Sequence, residues 1–335
     1  MSQTFMLAHL SDPHLGPMPV FWPWHWNMKR AFGYANWMRK RRSRQLPSLA
    51  SLIADDVRTQ GVDHIAISGD LTNIGMPAEY RKALAWLQYV GPPERVSTVP
   101  GNHDIYCRLW FDRGIGRWAD YMSSTEQGQD DKYLPGAHAH GVIFPFVRVW
   151  GNIALIGVNS AFPTATGSAA GHVGDTQRLR LEGILKKLNE QRMCRVVMVH
   201  HPPLPGQARP IRALRDSDLL ESVLTKVGAE LVIHGHNHKP MLEYREWQGR
   251  RFPVVGVSSC SAAVTLSAPA AYNIYVITPV ADNSYRIELI ERQVAPDAAS
   301  VHEVRRKLLT MQTFRIRPGP CRQSPRDAIQ MCSVR

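Results

Sequence analysis

The sequence predicts an α/β fold in which strands alternate with helices. Short apolar runs of strand length alternate with segments whose apolar residues recur at helical spacing, and polar residues directly follow several of the runs. Strands that alternate with helices are typical of layered folds with parallel strands. The chain has 335 residues, of which 44% are hydrophobic and 20% are charged. This length suits one to two domains and the composition excludes a wholly disordered chain.

The first part of the chain predicts two helices between strands. Over residues 46–59 the apolar residues Leu49, Ile53 and Val57 lie along one helical face. Residues 77–90 are predicted as a helix that opens with Pro77, because proline is well suited to the first turn of a helix. Short apolar runs predict strands at residues 5–10, 64–68 and 96–99, and residues 105–140 are a mixture of helix-like and loop sequence.

The second part continues the alternation and then becomes strand-rich. Apolar runs predict strands at 142–149, 153–158, 195–199 and 231–233, with helices at 175–191 and 214–227. Four further strands are predicted at 241–247, 252–257, 272–278 and 285–289. From about residue 295 the sequence is polar, basic and proline-containing, which predicts a short helix and a flexible tail. We therefore expect a main domain over 1–291, with an insert at 17–46, and a basic, partly flexible extension over 292–335.

Charge is concentrated in two segments. The formal net charge is +12, but residues 15–54 hold seven basic and no acidic residues, and residues 292–335 hold nine basic and three acidic ones. The rest of the chain is nearly neutral, which disfavours nucleic-acid binding by the body of the protein. Any polyanion is therefore expected to contact one of these two segments.

Cysteine usage and the absence of a targeting pattern favour a cytoplasmic protein. The five cysteines include no pair at C-x-x-C spacing, and an odd number in a chain of this length fits a reducing compartment. The N-terminus lacks the basic region of a secretory signal. The longest uncharged run, residues 252–281, contains three prolines, one glycine and four serines, and it suits strands better than a membrane-spanning helix.

Five short polar motifs follow predicted strands. They are Asp12-Pro13-His14, Gly69-Asp70, Gly101-Asn102-His103-Asp104, His200-His201 and Gly235-His236-Asn237-His238. In an open α/β sheet, the loops after the carboxyl ends of the strands converge on one crevice. Glycine before a polar residue permits sharp turns and a close backbone approach. The sequence therefore predicts that these side chains meet at one place.

The donor atoms in these motifs predict a site for two metal ions. Two carboxylates, one amide oxygen and four imidazoles come from Asp12, His14, Asp70, Asn102, His200, His236 and His238. Mixed nitrogen and oxygen donors suit Mn, Fe, Co, Ni or Zn, and the absence of thiolates argues against a structural zinc cluster. Seven donors are too many for one ion with an open position. They suit two ions that share a carboxylate and lie about 3.5–4 Å apart.

The motif set D-x-H, GD, GNHD, H and GHNH, in this order over residues 5 to about 260, resembles the calcineurin-like metallophosphoesterase superfamily. Asn159-Ser160 and residues 171–177 resemble its bacterial branch, which includes class III cyclic-nucleotide phosphodiesterases and glycerophosphodiesterases. The resemblance implies a four-layer αββα sandwich of two mixed sheets flanked by helices. By this resemblance, residues 1–291 would form the metallophosphoesterase domain.

The resemblance also implies the roles of the site residues. The first metal would be held by Asp12, His14, Asp70 and His238, and the second by Asp70, Asn102, His200 and His236, with Asp70 as the bridge. A hydroxide held by two divalent or trivalent ions (Mn, Fe, Zn or Co) would attack phosphorus. His103 would stabilise or protonate the leaving oxygen, and Asp104 would orient the His103 imidazole. His201 follows a ligand and is a candidate for contact with the substrate.

The insert at 17–46 permits three interpretations. It contains Phe21, Trp22, Trp24, Trp26, Phe32, Tyr34 and Trp37, followed by the basic run 39–44. The first interpretation is an added helix whose apolar residues, Met28, Ala31, Phe32, Ala35 and Met38, pack on the core. The second is an element that lies on an anionic membrane surface. The third is a substrate clamp in which aromatic rings stack on a base and arginines bind phosphate, with Trp26 and Arg30 as candidate contacts.

We expect a dinuclear metal-dependent phosphoesterase that hydrolyses phosphodiesters such as cyclic nucleotides or glycerophosphodiesters. An alternative is a pyrophosphohydrolase that acts on a lipid-linked nucleotide, of the UDP-diacylglucosamine type, at the inner membrane face. An alternative of another class is a non-catalytic metal-binding interaction module, which the retention of every ligand position disfavours. The metal pair, the physiological substrate and the oligomeric state stay open at this point.

Overall fold

The computed structural model of the chain describes residues 4–20, 22–109, 112–128, 137–139, 142–280 and 284–311. Two six-stranded sheets dominate the described part of the chain. The strands are Phe5–Leu10 (β1), His64–Ile67 (β2), Val96–Thr98 (β3), Ala137–Ala139 (β4), Val142–Phe144 (β5), Phe146–Trp150 (β6), Ile153–Val158 (β7), Cys194–Val199 (β8), Leu231–His234 (β9), Met241–Trp247 (β10), Arg250–Gly256 (β11), Ala271–Val280 (β12), Ser284–Val294 (β13) and Val301–Met311 (β14). The α-helices are Met28–Asn36 (α1), Pro47–Thr59 (α2), Pro77–Val90 (α3), Asp175–Glu190 (α4) and Ser217–Val227 (α5).

Both sheets are mixed. The first sheet has the order β14-β13-β12-β1-β2-β3, with β1, β2 and β3 parallel and β12 antiparallel to β1. The second has the order β10-β11-β9-β8-β7-β6, with β7, β8, β9 and β11 parallel and antiparallel strands at its two edges. Helices α2 and α3 connect the parallel strands of the first sheet, as parallel pairing requires a crossover.

The core divides by strand face into two layers. Alternate residues of the second sheet, such as Met198 and Ile233, pack into one cluster with Leu7 and Ile65 of the first sheet. The residues between them, such as Val197, pack into a second cluster with α4 and α5. The side-chain period of two along a strand thus sends one face to the other sheet and the opposite face to helices. The predicted architecture of two mixed sheets flanked by helices is confirmed.

Several sequence-based expectations differ from the structure. The strand predicted at 142–149 is two strands, β5 and β6, which are separated at Pro145. The short helix expected after residue 295 is wrong, since β14 pairs antiparallel with β13 there. The expected boundary at residue 291 falls within β13, so residues 292–311 belong to the first sheet. The flexible tail expected beyond them lies outside the described residues.

The insert is a separate helical element whose apolar face is exposed. Helix α1 is followed by a π-helical turn at Trp37–Arg41. The side chains of Met28, Phe32 and Met38 are 82%, 56% and 45% exposed, so the predicted packing of this face on the core is wrong. The insert is fixed instead by polar contacts, because Arg30 is buried and its guanidinium donates to the carbonyls of His25 and Gly75.

Among the described residues, no helix is both long and apolar enough to cross a membrane.

Candidate active site

The predicted site residues meet in the loops that follow β1, β2, β3, β8 and β9. Five of them adopt left-handed backbone conformations, with φ of 54° at Asp12, 41° at His14, 58° at Asp70, 68° at His236 and 53° at His238. Such conformations cost non-glycine residues roughly 1–3 kcal/mol each and persist where the surrounding structure enforces them. Strain of this kind concentrated in one loop cluster is typical of functional sites.

The first donor group surrounds the end of β1. The carboxylate Oδ1 of Asp12 lies 3.0 Å from His238 Nε2, and His14 Nε2 lies 3.3 Å from the same nitrogen. Asp70 Oδ2 lies 3.8 Å from His14 Nε2. Ligand atoms that share one ion at bond lengths of about 2.0–2.2 Å are separated by roughly 3.0–3.6 Å. The two distances to His238 fall within this range, and Asp70 Oδ2 lies slightly beyond it. Asp12, His14 and His238 therefore form a group that could share one cation, with Asp70 beside it.

The second donor group surrounds His200. Its Nε2 atom lies 3.4 Å from Asp70 Oδ2, 3.3 Å from Asn102 Oδ1 and 3.2 Å from His236 Nδ1. The separations again fit donors that share a cation. Asp70 Oδ2 belongs to both groups, so its carboxylate lies where a bridge between two cations is needed.

Three imidazoles are held with one ring nitrogen toward the donor cluster. His14 Nδ1 donates to the Thr72 carbonyl at 3.1 Å, and His200 Nδ1 donates to the Ser68 carbonyl at 2.6 Å. His236 Nε2 donates to the Arg212 carbonyl at 2.9 Å. A carbonyl oxygen only accepts, so each of these nitrogens carries a proton and the opposite nitrogen faces the cluster. Histidines that bind metal ions in proteins are usually oriented by such a bond.

The site buries two carboxylates among imidazoles. Burial alone would raise the pKa of Asp12, but the nearby His238 holds it below its ordinary value. Burial likewise opposes ionisation of Asp70, whose pKa is held well below its usual range by His200 and His103. Burial would lower the pKa of His200, yet the Asp70 carboxylate raises it to about 9. The buried negative charge thus attracts positive charge, which is the electrostatic property that a cation site requires.

Glycine is required at two positions for this close approach. A Cβ atom at Gly235 would lie 1.8 Å from Ser11 Oγ and 2.6 Å from Asp12 Oδ2. A Cβ atom at Gly101 would lie 2.2 Å from Asp70 Oδ1. The loops can therefore bring both carboxylates into the cluster only because these two residues have no side chain.

His103 lies beside the donor cluster, but Asp104 does not orient it. The His103 ring packs edge-on against His14 at 5.1 Å and is stacked on Tyr106 at 5.5 Å, and its Nδ1 contacts the Asn73 carbonyl. The Asp104 carboxylate accepts instead from the Thr72 and Gly101 amides, both at 2.9 Å. Burial raises the pKa of Asp104 to about 7. The predicted role of Asp104 is corrected: it joins two loops of the site rather than contacting the imidazole.

The three candidate substrate contacts differ in position. His201 is fully buried, with Nδ1 2.8 Å from Ser160 Oγ and Nε2 3.2 Å from the Ala169 carbonyl. Both nitrogens of His201 thus contact protein oxygens, so the structure corrects its predicted contact with substrate. Arg30 is corrected likewise, because its guanidinium contacts backbone carbonyls. Trp26 is 49% exposed and lines a cavity beside His14, which is compatible with its predicted contact.

A basic cavity of about 560 Å³ opens over the donor cluster. Its walls include Asp70, Asn102, His103, His236 and His238. Four basic side chains, from Lys40, Arg41, Arg44 and Arg212, also line it. Arg41 Nη1 lies 3.2 Å from His103 Nδ1, and Arg212 donates to the His236 carbonyl at 2.9 Å. The cavity is thus suited to an anion that also contacts the donor cluster.

Sequence analysis did not single out Arg212. Arginines recur every third residue, at Arg209, Arg212 and Arg215, between a donor histidine and α5. The helix predicted from residue 214 leaves Arg209 and Arg212 in the loop before it. In the structure α5 begins at Ser217, and the preceding loop brings Arg212 to the cavity.

Comparison with known proteins agrees with the motifs. Residues 5–240 match the sequence model of the family described as calcineurin-like phosphoesterase. A glycerophosphodiester phosphodiesterase, GpdQ, of Enterobacter lignolyticus is 28% identical over 189 residues, which cover 55% of this chain and 59% of that protein. A probable cyclic nucleotide phosphodiesterase of Synechococcus is 24% identical over 199 residues, covering 58% of this chain and 66% of that protein. The chain therefore matches less than two thirds of the length of either relative.

Solved structures agree with the fold. A dimetal phosphatase from Danio rerio superposes with a TM-score of 0.56 at 15% identity, covering 90% of this chain and 98% of that one. The purple acid phosphatase PPD1 from yellow lupin superposes with a TM-score of 0.53 at 12% identity, covering 90% of this chain and 53% of that one. At these identities the likeness extends to the arrangement of the two sheets and their helices.

Proposed function

Because the chain belongs to the calcineurin-like phosphoesterase family and is a hydrolase, we propose that it hydrolyses phosphodiester bonds with two metal ions. One observation carries the proposal: two adjoining groups of donor side chains meet beside a basic cavity, and Asp70, Asn102, His236 and His238 also line that cavity. Both relatives are named as phosphodiesterases, which supports a diester rather than a monoester as substrate.

The donor set fits the two cations. We propose that Asp12, His14, Asp70 and His238 hold the first. A second would be held by Asp70, Asn102, His200 and His236. When bound, such cations act as Lewis acids that lower the pKa of water and neutralise charge on phosphoryl oxygens.

The remaining residues of the cavity position the substrate. Lys40, Arg41 and Arg212 line the cavity and would bind the phosphoryl oxygens by charge-assisted hydrogen bonds. In the hydrolysis, a water oxygen forms the new bond to phosphorus as the bond to one ester oxygen breaks. The departing oxygen takes up a proton, and His103 is the side chain proposed to provide it.

The proposal predicts metal-dependent hydrolysis of a simple diester. Purified protein supplied with Mn²⁺ is expected to hydrolyse bis-p-nitrophenyl phosphate faster than p-nitrophenyl phosphate. Chelation should reduce the rate to that of the buffer, because the donor cluster alone supplies no Lewis acid. The release of p-nitrophenol measures both rates, and a Mn²⁺-dependent rise in Tm reports binding separately from activity.

Three results would contradict this proposal. Hydrolysis that is unchanged by chelation would show that the reaction does not require metal ions. A Tm that no divalent ion raises would show that the site does not bind them. A faster reaction with the monoester would assign the protein to the phosphomonoesterases.

A second candidate function, pyrophosphate hydrolysis of a lipid-linked nucleotide at a membrane surface, is favoured by the surface of the insert. The Trp24 side chain is 70% exposed, and its ring is stacked on that of Trp22 at 5.4 Å. The exposed apolar face of α1 and the exposed basic side chains of Arg39 and Arg42 belong to the same segment. Indoles together with basic side chains are suited to the interface of an anionic bilayer.

This candidate predicts binding to anionic vesicles. The protein should sediment with vesicles made of phosphatidylglycerol and phosphatidylcholine. A smaller fraction of the protein should sediment with vesicles of phosphatidylcholine alone. Trp24→Ser should weaken binding about tenfold, since burial of one large apolar side chain is worth about 1.5–3 kcal/mol. Leu179→Ser, which changes an exposed apolar residue of α4, is the matched control. Equal loss in both variants, or no binding by the unmodified protein, would contradict a membrane-surface role.

A further inference from the structure

A second cavity, of about 770 Å³, lies beside the basic one and is lined mainly by the insert. One wall is formed by residues 16–20, with the sequence Gly-Pro-Met-Pro-Val. Trp26, Trp37 and Met38 contribute to its lining as well. The volume is in the range of small-molecule pockets, about 300–1,000 Å³, which are mostly apolar with a few polar groups. The apolar walls exclude a second site for a free anion.

The two cavities adjoin at Gln45, which lines both of them. His14 lines the apolar cavity and also provides a donor atom to the first metal group. A molecule that extends past Gln45 therefore occupies both cavities at once.

Gln45 adds a polar requirement at the junction. Its side chain is 9% exposed, and its Oε1 atom is buried without a hydrogen-bond partner among the described residues. A buried acceptor without a partner is costly, and a ligand that donates a hydrogen bond would satisfy it once the side-chain amide of Gln45 turns toward the cavity. A hydroxyl or amide group next to the phosphate, as in a glycerol or sugar linker, has the required chemistry.

The charge is distributed unequally between the cavities. Lys40, Arg41, Arg44 and Arg212 line the basic cavity, whereas Arg42 contributes a cation to the apolar one. We propose that the apolar cavity binds a long apolar chain of the substrate, which makes the substrate an amphipathic phosphoester. The phosphate lies in the basic cavity, the linker contacts Gln45, and the chain lies between residues 16–20 and Met38. This inference rests on the proposed phosphoesterase function and specifies its substrate class.

A chain-length series tests the proposal in solution. Alkyl p-nitrophenyl phosphates with methyl, butyl and octyl groups are assayed with Mn²⁺, without vesicles and at concentrations where they are monomeric. We expect kcat/KM to rise about two- to fourfold per methylene over the first few methylenes, as expected for burial of a chain in an apolar groove. A kcat/KM that is independent of chain length would overturn the proposal.

A matched pair of variants assigns the effect to the cavity. Met38 and Met28 both belong to the insert and both are exposed, but of the two only Met38 lines the cavity. Met38→Glu should remove the dependence on chain length, because a carboxylate in the groove opposes burial of the alkyl group. Met28→Glu should keep the slope of the unmodified protein. Equal flattening by both substitutions would overturn the assignment to the cavity.

Binding without metal separates this inference from the proposed function. Chelator-treated protein is titrated with ethyl, butyl and octyl phosphate, and tryptophan fluorescence reports binding near Trp26 and Trp37. Tighter binding of the longer chains, lost in Met38→Glu, would support the cavity even if no diester were hydrolysed. Hydrolysis of methyl p-nitrophenyl phosphate together with equal binding of all three alkyl phosphates would support the function and overturn the inference.

Two sources can supply such a substrate, and natural compounds distinguish them. Lysophosphatidylglycerol offers a chain on a glycerophosphodiester, and a UDP-linked acyl sugar offers one on a nucleotide pyrophosphate. Faster turnover of either compound than of its chain-free counterpart supports the proposal and identifies the source. Faster turnover of glycerophosphoglycerol and of a UDP-linked sugar without a chain would overturn it.

Discussion

Replacing Asp70 by alanine is expected to abolish phosphoester hydrolysis and to lower the metal content toward zero. Asp70 Oδ2 lies 3.4 Å from His200 Nε2 and 3.8 Å from His14 Nε2, so one carboxylate serves both donor groups. We expect kcat/KM to fall at least about 1,000-fold, because even the partners that orient a ligand are worth about 10- to 100-fold in affinity or activity. Elemental analysis of dialysed protein measures the metal content.

The control for Asp70→Ala must separate loss of metal from loss of fold. Without metal, the Asp70 carboxylate stabilises a protonated His200, so Asp70→Ala is expected to lower the Tm of chelator-treated protein. The effect of metal is therefore measured for each variant relative to its own metal-free Tm. Mn²⁺ should raise the Tm of the unmodified protein and leave that of Asp70→Ala unchanged. Asp175→Ala, at an exposed position of α4, should match the unmodified protein in every measurement. Retention of two ions by Asp70→Ala would contradict the bridging role.

The donor residues could be predicted because their signals are local. Each motif directly follows an apolar run, so its place at a strand end can be inferred from a few neighbouring residues. Gly101 and Gly235 each precede a donor residue. A Cβ atom at Gly101 would meet the carboxylate of Asp70, and one at Gly235 would meet the hydroxyl of Ser11 and the carboxylate of Asp12. Short-range pattern and the rules for parallel sheets were sufficient to bring these side chains together.

The role of Asp104 could not be predicted because one of the two loops that its carboxylate joins is distant in sequence. Thr72, whose amide donates to the carboxylate, lies 32 residues away. Adjacency to His103 in the chain suggested a contact between the two side chains. The turn at this motif instead directs the imidazole to the cavity and the carboxylate toward the backbone of the neighbouring loop.

Strand β14 was missed because its composition is that of an exposed edge strand. Most of its side chains are exposed, and basic residues such as Arg305 pair with acidic residues of β13 such as Glu291. Charged side chains are a common feature of sheet edges, where they oppose pairing with other chains. Without the neighbouring strand, the same polar composition is typical of a tail.

For the insert, the sequence predicts the helix correctly but not the surroundings of its apolar face. The helical spacing of Met28, Phe32 and Ala35 was correctly associated with a helix, α1. Periodicity identifies an apolar face but not what covers it, and in the structure this face is exposed. The functional interpretations of the insert, as a membrane contact or a substrate clamp, therefore gain support over simple packing.

Replacing His103 by alanine is expected to slow hydrolysis while both metal ions stay bound. The His103 ring lines the basic cavity, but its Nδ1 contacts the Asn73 carbonyl, which only accepts a hydrogen bond. Nδ1 therefore carries a proton, and Nε2 can give a proton to the leaving oxygen only when the ring is a doubly protonated imidazolium. Burial and the neighbouring Arg41 hold the pKa of His103 well below its usual range, and an anionic phosphate beside the ring would oppose that shift. Loss of a general acid costs about 10²–10⁴-fold in rate.

The leaving group distinguishes proton transfer by His103 from a role in binding. An alkoxide needs a proton as it leaves, whereas p-nitrophenolate leaves readily without one. The loss in kcat for His103→Ala should therefore be at least about tenfold greater for glycerophosphodiesters than for bis-p-nitrophenyl phosphate, within the range that general acids provide. Equal losses for both substrates would assign His103 to positioning of the phosphate beside Arg41, whose guanidinium lies 3.2 Å away. Loss of metal from His103→Ala, measured as for Asp70→Ala, would show instead that the ring supports the neighbouring His14, and the proton would then have to come from solvent.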